Sequence, residues 1–372
     1  MPLPPTVLLA PDKFKGCLSA IEVCTELRIG LLQGSSCVDV VLRPMGDGGE
    51  GTLDAALAAG FETVTVAAAG PLGQPRSARI GIRGSTALIE LAEICGLTQL
   101  PDRGLRPMEA TTYGVGLAIR AAIDRGFRDL VVGVGGSAST DGGMGAAIAL
   151  GARILDHEGQ AVRPCGDELN DVAAVDLDPM SAVLDGISLT VATDVSSPLT
   201  GEFGAAHVFA AQKGATAEQT RELETGLRNW ARRLQDETGL AVSALSGVGA
   251  AGGFAAPFLA IGSARIASGA QLIMDLTGVR PAITAADVVI TGEGSWDAQT
   301  AAGKVAQAVL EAARGRGKPV IAIAGRFTAD ADLTGVLTRY SLTDVAGPGR
   351  DPIRNARTLL REIGTQIVRQ LS

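Results

Sequence analysis

The sequence predicts an α/β protein of two domains, in which both ends of the chain build one parallel sheet and the middle forms an inserted domain. Three observations predict this arrangement. The chain has 372 residues, whereas a single hydrophobic core usually stops growing at about 250–300 residues. Strand and helix patterns alternate near both termini, as they do in parallel sheets. Between them lies a run of short strand patterns, which is typical of antiparallel pairing.

The first sixty residues predict a βαβ unit followed by a helix. Thr6 to Ala10 has the continuous apolar character of a buried strand. Ser19-Ala-Ile-Glu22 has the sequence of a capping box, which starts a helix that runs to about Gln33. Residues 37–42 predict the second strand, and another helix should follow Glu50. Such a unit implies that the two strands are parallel.

The middle of the chain opens with three short strand patterns, at residues 62–68, 76–82 and 87–91. Two further strands are predicted before alternation returns, at residues 130–134 and 188–192. The late βα units comprise strands at 287–290, 320–324 and near 340, and helices from about 303 to 316 and from about 352. The simplest assembly is a discontinuous domain of residues 1–64 plus 284–372 and an inserted domain of residues 65–283.

Composition argues against nucleic-acid and membrane partners. The 32 Lys and Arg residues against 40 Asp and Glu residues give a net charge of -8, and aromatic residues make up 3%, so a basic, base-stacking surface is not expected. There is no apolar run of eighteen residues and no signal-peptide pattern. The five cysteines are scattered without a Cys-x-x-Cys motif, which fits a reducing compartment. We therefore expect a cytoplasmic protein.

Three glycine-rich loops that contain acidic residues predict phosphate chemistry. They span residues 44–52, 133–145 and 291–300. Glycine lets backbone N–H groups close around phosphate oxygens, and a nearby carboxylate can hold Mg²⁺ or take a proton. Loops that leave the carboxyl ends of parallel strands converge on one crevice, and those at 12–16, 43–50, 292–299 and 325–326 are of this kind. We expect the active site in a cleft between the two domains.

Standard nucleotide motifs are weak in this sequence. Residues 298–304 have the spacing of a Walker A motif, but Val305 replaces the hydroxyl residue that should meet Mg²⁺. Residues 247–252 match G-x-G-x-x-G, but no clear strand precedes them. The loop from Gly135 onward follows a predicted strand and enters a predicted helix, which makes it a credible phosphate cradle.

Seven ordered segments resemble the bacterial type I glycerate kinases. They are Ala10-Pro-Asp-Lys-Phe-Lys-Gly16, Gly46-Asp-Gly-Gly-Glu-Gly51, Gly135-Gly-Ser-Ala-Ser-Thr-Asp-Gly-Gly143, Thr193-Asp-Val-Ser-Ser-Pro-Leu-Thr-Gly201, Gln212-Lys-Gly214, Gly249-Ala-Ala-Gly-Gly253 and Ile290-Thr-Gly-Glu-Gly294 continuing to Lys304. The resemblance implies ATP-dependent phosphorylation of D-glycerate, usually at the 2-hydroxyl. It also implies a flavodoxin-like, doubly wound parallel sheet domain, interrupted by an inserted α/β domain with a mixed sheet.

Several positions depart from that family's pattern. The family usually carries Ser where Lys13 stands, Asp or Asn followed by Asn at Ser196-Ser197, Gly-Pro at Ala210-Ala211, and Arg-Leu at Ser295-Trp296. The loss of a guanidinium at position 295 removes a candidate clamp on the transferring phosphate, and Lys13 could compensate for it. These changes leave the identity of the acceptor more open than the class of reaction.

Candidate catalytic residues are Asp194 and Lys15. Asp194 follows the predicted strand 188–192 and should accept or orient the proton of the substrate hydroxyl; the alternative is an Asx-turn that opens the next loop. Lys15 should contact phosphate or the glycerate carboxylate, unless it is an ordinary surface lysine. Glu50 fits a helix-capping role, and Glu293 is left open.

Candidate binding residues fall into three groups. Those predicted for the substrate are Lys13, Asp47, Asp297 and Arg326; those for the ATP phosphates are Gly135, Gly136, Ser137, Ser139, Asp141 and Lys304; and those for Mg²⁺ are Asp47 and Asp194. Two histidines without neighbouring cysteines give no support to a zinc site. We expect ATP and Mg²⁺ as cofactors and a small-molecule substrate, and leave a homodimer open.

Two alternatives come from other functional classes. One is an oxidoreductase that binds a dinucleotide at the loop beginning at Gly133, and the other is a non-catalytic, metabolite-sensing relative of the kinases. Within the kinase class, a different small hydroxy acid remains an alternative acceptor. The choice between 2- and 3-phosphoglycerate depends on placement finer than sequence can specify, because the two hydroxyls are on adjacent carbons.

Overall fold

The computed structural model describes residues 4–35, 37–297 and 305–371. Within these ranges the strands are β1 (Thr6–Leu9), β2 (Asp39–Leu42), β3 (Glu62–Ala69), β4 (Pro75–Arg83), β5 (Thr86–Glu90), β6 (Asp129–Gly133), β7 (Arg153–Leu155), β8 (Ala174–Asp176), β9 (Ser188–Ala192), β10 (Ala264–Ala267), β11 (Val288–Trp296), β12 (Val320–Phe327) and β13 (Thr338–Ser341).

The helices in the described ranges are α1 (Ala20–Gly34), α2 (Thr52–Ala58), α3 (Leu91–Cys95), α4 (Tyr113–Asp124), α5 (Met144–Ala149), α6 (Asp178–Val183), α7 (Ala205–Phe209), α8 (Ala217–Thr238), α9 (Ala256–Ala260), α10 (Gly269–Leu276), α11 (Val279–Ala285), α12 (Val305–Arg314), α13 (Leu342–Ala346) and α14 (Ala356–Leu371). Of the helices described, none combines the length and apolar character needed to cross a membrane.

The chain forms two compact units, and both are discontinuous in sequence. Unit 1 comprises residues 1–47, 54–60 and 268–372, and unit 2 comprises residues 48–53 and 61–267. Unit 1 holds a five-stranded sheet of order β13-β12-β11-β1-β2 in which all neighbouring strands are parallel. Numbered along unit 1 alone this is 2-1-3-4-5, the flavodoxin-like order. The predicted fold class is confirmed in this unit.

Alternate residues of β1 face opposite sides of the unit 1 sheet, so both faces are covered. Val7 and Leu9 pack in one core with residues of α1 and α14, such as Leu359. Leu8 packs in the other core with residues of α10 and α12, such as Val309. Burial on both sides explains why the first strand is a continuous apolar run instead of an alternating one.

Helix α1 begins where the capping box predicts. The Ser19 backbone N–H donates to Glu22 Oε2 at 2.8 Å, and the Glu22 N–H donates to Ser19 Oγ at 3.3 Å. Further along α1, the buried Glu26 carboxylate accepts from two arginines of α14, Arg357 at 2.9 Å and Arg361 at 2.5 Å. These ion pairs join the first and last helices of unit 1.

Unit 2 holds a six-stranded mixed sheet of order β10-β9-β6-β5-β4-β3. The pairs β3–β4 and β4–β5 are antiparallel, as the sequence predicts, and the pairs β5–β6, β6–β9 and β9–β10 are parallel. Trp230 of α8 and Phe254 are completely buried in the core of this unit. The inserted α/β domain with a mixed sheet is therefore also confirmed.

The structure divides the chain at other residues than the predicted boundaries at 64/65 and 283/284. Helices α10 and α11, assigned by sequence to the inserted domain, belong to unit 1 because Met274, Val279 and Ile283 pack in its core. Gly48 to Leu53 belongs to unit 2, where the Glu90 carboxylate accepts the N–H groups of Gly51 and Leu53 at 3.2 and 2.8 Å. That the active site lies in a cleft between the two domains stays a prediction.

Candidate active site

Charged residues gather at the carboxyl ends of β1 and β2 in unit 1. The Lys13 ammonium lies 3.4 Å from Asp47 Oδ1 and 3.7 Å from Asp12 Oδ1. The Asp12 N–H donates to the Gly292 carbonyl at 2.8 Å, which extends the pairing of β1 with β11 and fixes the loop. Two of the predicted substrate-binding residues, Lys13 and Asp47, are thus brought together.

Asp12 is absent from the predicted site residues, although its position directly after the first strand could have identified it. Its side chain is largely buried, and the Lys13 backbone N–H donates to its Oδ1 at 2.7 Å. Burial raises the pKa of the Asp12 carboxyl to about 7; the Lys13 ammonium acts in the opposite direction, and the charges of Asp47 and Glu293 add to the increase. Perturbed carboxylates of this kind are frequent in active sites.

The other predicted residues of unit 1 are more exposed or fall outside the described ranges. Lys15 is exposed in a turn closed by the bridge between Phe14 and Leu18. Asp297 is half-buried just after β11. Lys304, predicted to contact nucleotide, and the rest of the Walker-like segment 298–304 lie outside the described residues. The structure therefore does not bear on them.

Arg326 lies directly opposite Ser295 in the pairing of β11 with β12. Its Nε donates to Ser295 Oγ at 3.4 Å, and its side chain is exposed. The neighbouring Trp296 is buried against Phe327, with ring centroids 5.8 Å apart, and donates to the Asp332 carbonyl at 3.1 Å. A guanidinium therefore remains beside position 295, although it is carried by the adjacent strand.

The predicted phosphate cradle of unit 2 is built from closely approaching backbone. Gly135 donates its N–H to the Gly48 carbonyl at 3.1 Å, and a Cβ at Gly135 would lie 2.6 Å from the Gly49 Cα. Gly136 is exposed and has a φ of 76°, a conformation that glycine adopts without strain. Ser137 follows, with its hydroxyl accepting a hydrogen bond from Lys213 Nζ at 2.9 Å.

Asp194 lies at the same edge of the unit 2 sheet as this cradle. It follows β9, the direct neighbour of β6, and the Val134 N–H donates to the Ala192 carbonyl at 3.2 Å. Asp194 is half-buried. The turn after β9 uses the Thr193 hydroxyl, which accepts from the Val195 N–H at 3.4 Å. The predicted catalytic carboxylate and the predicted cradle therefore leave adjacent parallel strands at their carboxyl ends.

Two residues predicted to bind nucleotide, Ser139 and Asp141, are completely buried. The Asp141 carboxylate accepts from the Thr112 N–H at 2.7 Å and from the N–H groups of Gly143 and Gly145 at 3.2 and 3.3 Å. Burial raises the pKa of this carboxyl, and those hydrogen bonds oppose the increase. In this structure Asp141 organises the start of α5 and presents no oxygen to the surface; its role in nucleotide binding stays a prediction.

Magnesium fits the carboxylates present, but only as an ion shared with a ligand. No three His, Cys, Asp or Glu residues of the described ranges are grouped so that they could hold a metal by themselves. Mg²⁺ in nucleotide enzymes usually keeps several waters and is bound by one or two carboxylates plus substrate phosphates. Either predicted ligand, Asp47 or Asp194, has the oxygen chemistry for such a contact.

Comparison with known proteins identifies the family. Residues 7–372 match the model of the glycerate kinase family. A protein of Halalkalibacterium halodurans named glycerate kinase is 38% identical over 86% of this chain and 85% of its own length. A protein of Escherichia coli K12 named glycerate 2-kinase is 35% identical over 91% of this chain and 89% of its own length.

A solved structure agrees with these relatives. A crystal structure from Salmonella typhimurium LT2, which carries the provisional designation glycerate kinase 2, is 36% identical to this chain and covers 98% of each chain with a TM-score of 0.85. At 98% coverage of this chain, the match extends over both units. The chain therefore belongs to the glycerate kinase family and is an enzyme, a kinase of that family.

Proposed function

We propose that this enzyme transfers the γ-phosphoryl group of ATP to the 2-hydroxyl of D-glycerate, giving 2-phosphoglycerate and ADP. The observation that carries the proposal is the position of Asp194 beside the Gly135–Ser137 loop, at the carboxyl ends of neighbouring strands in unit 2. This juxtaposition offers a carboxylate next to backbone N–H groups suited to phosphate. The name of the Escherichia coli relative supports the 2-hydroxyl as acceptor.

The exposed backbone at Gly136 would receive the phosphates of the nucleotide, and Gly135, whose N–H donates to the Gly48 carbonyl, would hold the loop in place. Phosphoryl transfer depends on positioning and on stabilising the charge of the equatorial oxygens more than on covalent chemistry. The exposed Gly136 has no side chain between its backbone and a ligand, and its positive φ turns the chain sharply at that point. Mg²⁺ bound with the phosphates would neutralise part of their negative charge.

Asp194 would accept the proton of the substrate hydroxyl. As the hydroxyl oxygen forms its bond to the γ-phosphorus, the bond from phosphorus to the ADP oxygen breaks and the proton moves to the carboxylate. Asp12 is a second candidate for this role, because it is a largely buried carboxylate beside a lysine. The Asp194→Asn and Asp12→Asn variants separate the two: only loss of the proton acceptor should abolish kcat while nucleotide affinity persists.

Lys13, Lys15 and Arg326 would supply positive charge for the glycerate carboxylate and the transferring group. Each follows or ends a parallel strand of unit 1, where ligands of open α/β sheets usually bind. The side chains of Lys15 and Arg326 are exposed, so an incoming anion can reach them. Asp47, held near Lys13 at 3.4 Å, would accept hydrogen bonds from the glycerate hydroxyls.

A coupled assay tests the reaction and its regiochemistry together. Enzyme, Mg-ATP and D-glycerate are incubated with enolase, pyruvate kinase and lactate dehydrogenase, with and without phosphoglycerate mutase. NADH consumption above the glycerate-free background and without the mutase is expected, because 2-phosphoglycerate enters enolase directly. Signal that requires the mutase would assign the 3-hydroxyl instead. The Asp236→Asn variant, which changes an exposed carboxylate of α8, is the matched control for Asp194→Asn.

A related hydroxy acid is the second candidate acceptor. It is favoured by Lys13, which places an ammonium beside Asp47 and Asp12 where the family usually has a serine. This alternative would be selected if glycerate gave no NADH consumption either with or without the mutase, while another small hydroxy acid in a screen supported ATP turnover. Absence of ATP turnover with every acceptor tested would contradict both candidate acceptors and leave the non-catalytic, sensing alternative.

A further inference from the structure

Lys213 is a buried lysine directly beneath the proposed phosphate cradle. It ends the short 3-10 turn Ala211–Lys213 that follows α7, and its exposed fraction is 2%. Its ammonium donates to Ser137 Oγ at 2.9 Å and, through a very short contact, to the Ser139 carbonyl. The Lys213 ammonium thus holds both the Ser137 side chain and the backbone at Ser139.

Both of these acceptors are neutral, which is unusual for a buried ammonium. Burial lowers the pKa of Lys213 to about 8, and the charges of Cys95 and Asp141 act in the opposite direction. The Cys95 thiol cannot neutralise the lysine near pH 7, because burial raises its pKa to about 12. Asp141 is engaged by the backbone N–H groups at the start of α5. The Asp141 carboxylate therefore compensates only part of the positive charge beside the glycine loop, since burial still lowers the pKa of Lys213.

An uncompensated buried charge costs free energy unless a ligand of opposite charge binds near it. The loop that Lys213 supports has an exposed glycine on its outer side and the buried Ser137 on its inner side. An anion on the outer side would therefore be attracted by the lysine through one layer of backbone. Polyphosphate is the anion that fits a glycine turn of this kind.

We propose that Lys213 is a positioning residue for the nucleotide, which holds the Gly135–Ser139 backbone in its phosphate-binding form and attracts the phosphates electrostatically. The proposal rests on the proposed function, because it takes the same loop as the nucleotide site. It adds a residue that touches neither substrate nor reacting atoms. Lys213 should therefore govern nucleotide affinity and leave the KM for glycerate nearly unchanged.

Calorimetric titration with the non-hydrolysable analogue Mg-AMPPNP tests this inference without any acceptor. We expect Lys213→Met to raise the Kd about 10- to 100-fold at pH 7, the range for losing a hydrogen-bonded charge. In the wild type the Kd should rise between pH 7 and 9.5 as Lys213 loses its proton. In Lys213→Met the Kd should be high at both pH values, because terminal phosphates are already ionised above pH 7.

Lys318→Met is the matched control, since Lys318 is a half-buried lysine before β12 in unit 1. Its Kd should equal that of the wild type. A Kd for Lys213→Met within twofold of the wild type at pH 7, or the same pH dependence in both proteins, would overturn the inference. A purely structural role for Lys213 would lower stability without removing the pH dependence of binding.

Two further measurements keep the test decisive if Lys213→Met does not fold. A wild-type Kd that stays constant from pH 7 to 9.5 would contradict the inference by itself. Ser137→Ala keeps the lysine and removes one of its acceptors, so it should weaken AMPPNP binding with little change in the KM for glycerate. A wild type that binds no AMPPNP would refute the ATP-dependent function itself, whereas normal wild-type binding with an unaffected variant refutes only the role of Lys213.

Discussion

Replacing Asp141 by asparagine should destabilise unit 2 by about 2–4 kcal/mol. Asp141 Oδ2 accepts from the Thr112 N–H at 2.7 Å, the Thr112 hydroxyl at 2.8 Å and the Gly145 N–H at 3.3 Å, and Oδ1 accepts from the Gly143 N–H at 3.2 Å. In either orientation, the amide nitrogen of asparagine would face at least one of these backbone donors. That leaves a buried N–H without an acceptor.

The magnitude follows from the lost and retained contacts. One unsatisfied buried donor costs about 1–3 kcal/mol, and each remaining hydrogen bond weakens because its acceptor is no longer charged. Part of this loss is returned, since burial raises the pKa of the Asp141 carboxyl and the neutral amide avoids the cost of desolvating a charge. The balance gives the range of about 2–4 kcal/mol.

Urea unfolding followed by tryptophan fluorescence measures this loss in unit 2 alone. The chain has two tryptophans; Trp296 lies in unit 1, whereas Trp230 lies in unit 2 and donates to the Gly142 carbonyl at 2.9 Å. In a Trp296→Phe background the signal reports the loop next to Asp141. The exposed Asp236→Asn in α8 serves as control. A loss for Asp141→Asn within about 0.5 kcal/mol of the control would refute this account of the loop.

Three further outcomes are expected. Gly135→Ala should lower the stability of unit 2 by about 1–3 kcal/mol in urea unfolding and raise the KM for ATP, because its Cβ would lie 2.6 Å from the Gly49 Cα; an unchanged KM would contradict this. Glu26→Gln should lower the free energy of unfolding of unit 1 by about 2 kcal/mol, because it removes the buried carboxylate that pairs with half-exposed arginines of α14. Trp296 fluorescence during urea unfolding, in a Trp230→Phe background, measures this loss. The pKa of Lys213 is about 8 in the folded protein, against an ordinary value of 10.5, so between these pH values the folded state binds fewer protons than the unfolded state. The free energy of unfolding of the wild type, relative to that of Lys213→Met, should therefore rise by about 3 kcal/mol from pH 8 to 10.5. A difference between the two proteins that does not change with pH would contradict the lowered pKa.

The strands of unit 1 could be predicted from the sequence because burial on both faces leaves a continuous apolar run. The residues of β1 illustrate this, with Val7 and Leu8 pointing into different cores. The start of α1 could also be predicted from the sequence, because the two side chains of a capping box are only three residues apart. The order of the strands was not encoded locally, and it followed from the resemblance to a known family.

The boundary of the inserted domain could not be predicted from local patterns. Helices α10 and α11 follow β10 of unit 2 without a linker of distinct composition, yet their apolar faces pack against the sheet of unit 1. Membership of a core is a property of tertiary packing, and an amphipathic helix does not specify which sheet it covers. The sequence boundary therefore fell at the next strand pattern, about fifteen residues later.

The candidate site was predicted only in part for a related reason. Lys13 and Asp47 were singled out as charged residues after strands, and the structure brings them together. Asp141 was singled out as a carboxylate in a glycine-rich loop, but its oxygens accept hydrogen bonds from backbone N–H groups inside the fold. Lys213 was noted only as part of the segment Gln212-Lys-Gly214 in the family resemblance and was given no role, because a lysine is usually exposed and only the fold reveals that this one is buried.

Phosphorylation of the 2-hydroxyl of D-glycerate by ATP is tested most directly by the ³¹P NMR spectrum of the products formed by the purified wild type from Mg-ATP and D-glycerate, compared with authentic phosphoglycerates. We expect resonances of ADP and 2-phosphoglycerate in equal amounts, at the expense of ATP. A spectrum in which ATP is unchanged, or in which the new phosphoester is 3-phosphoglycerate, would contradict this expectation.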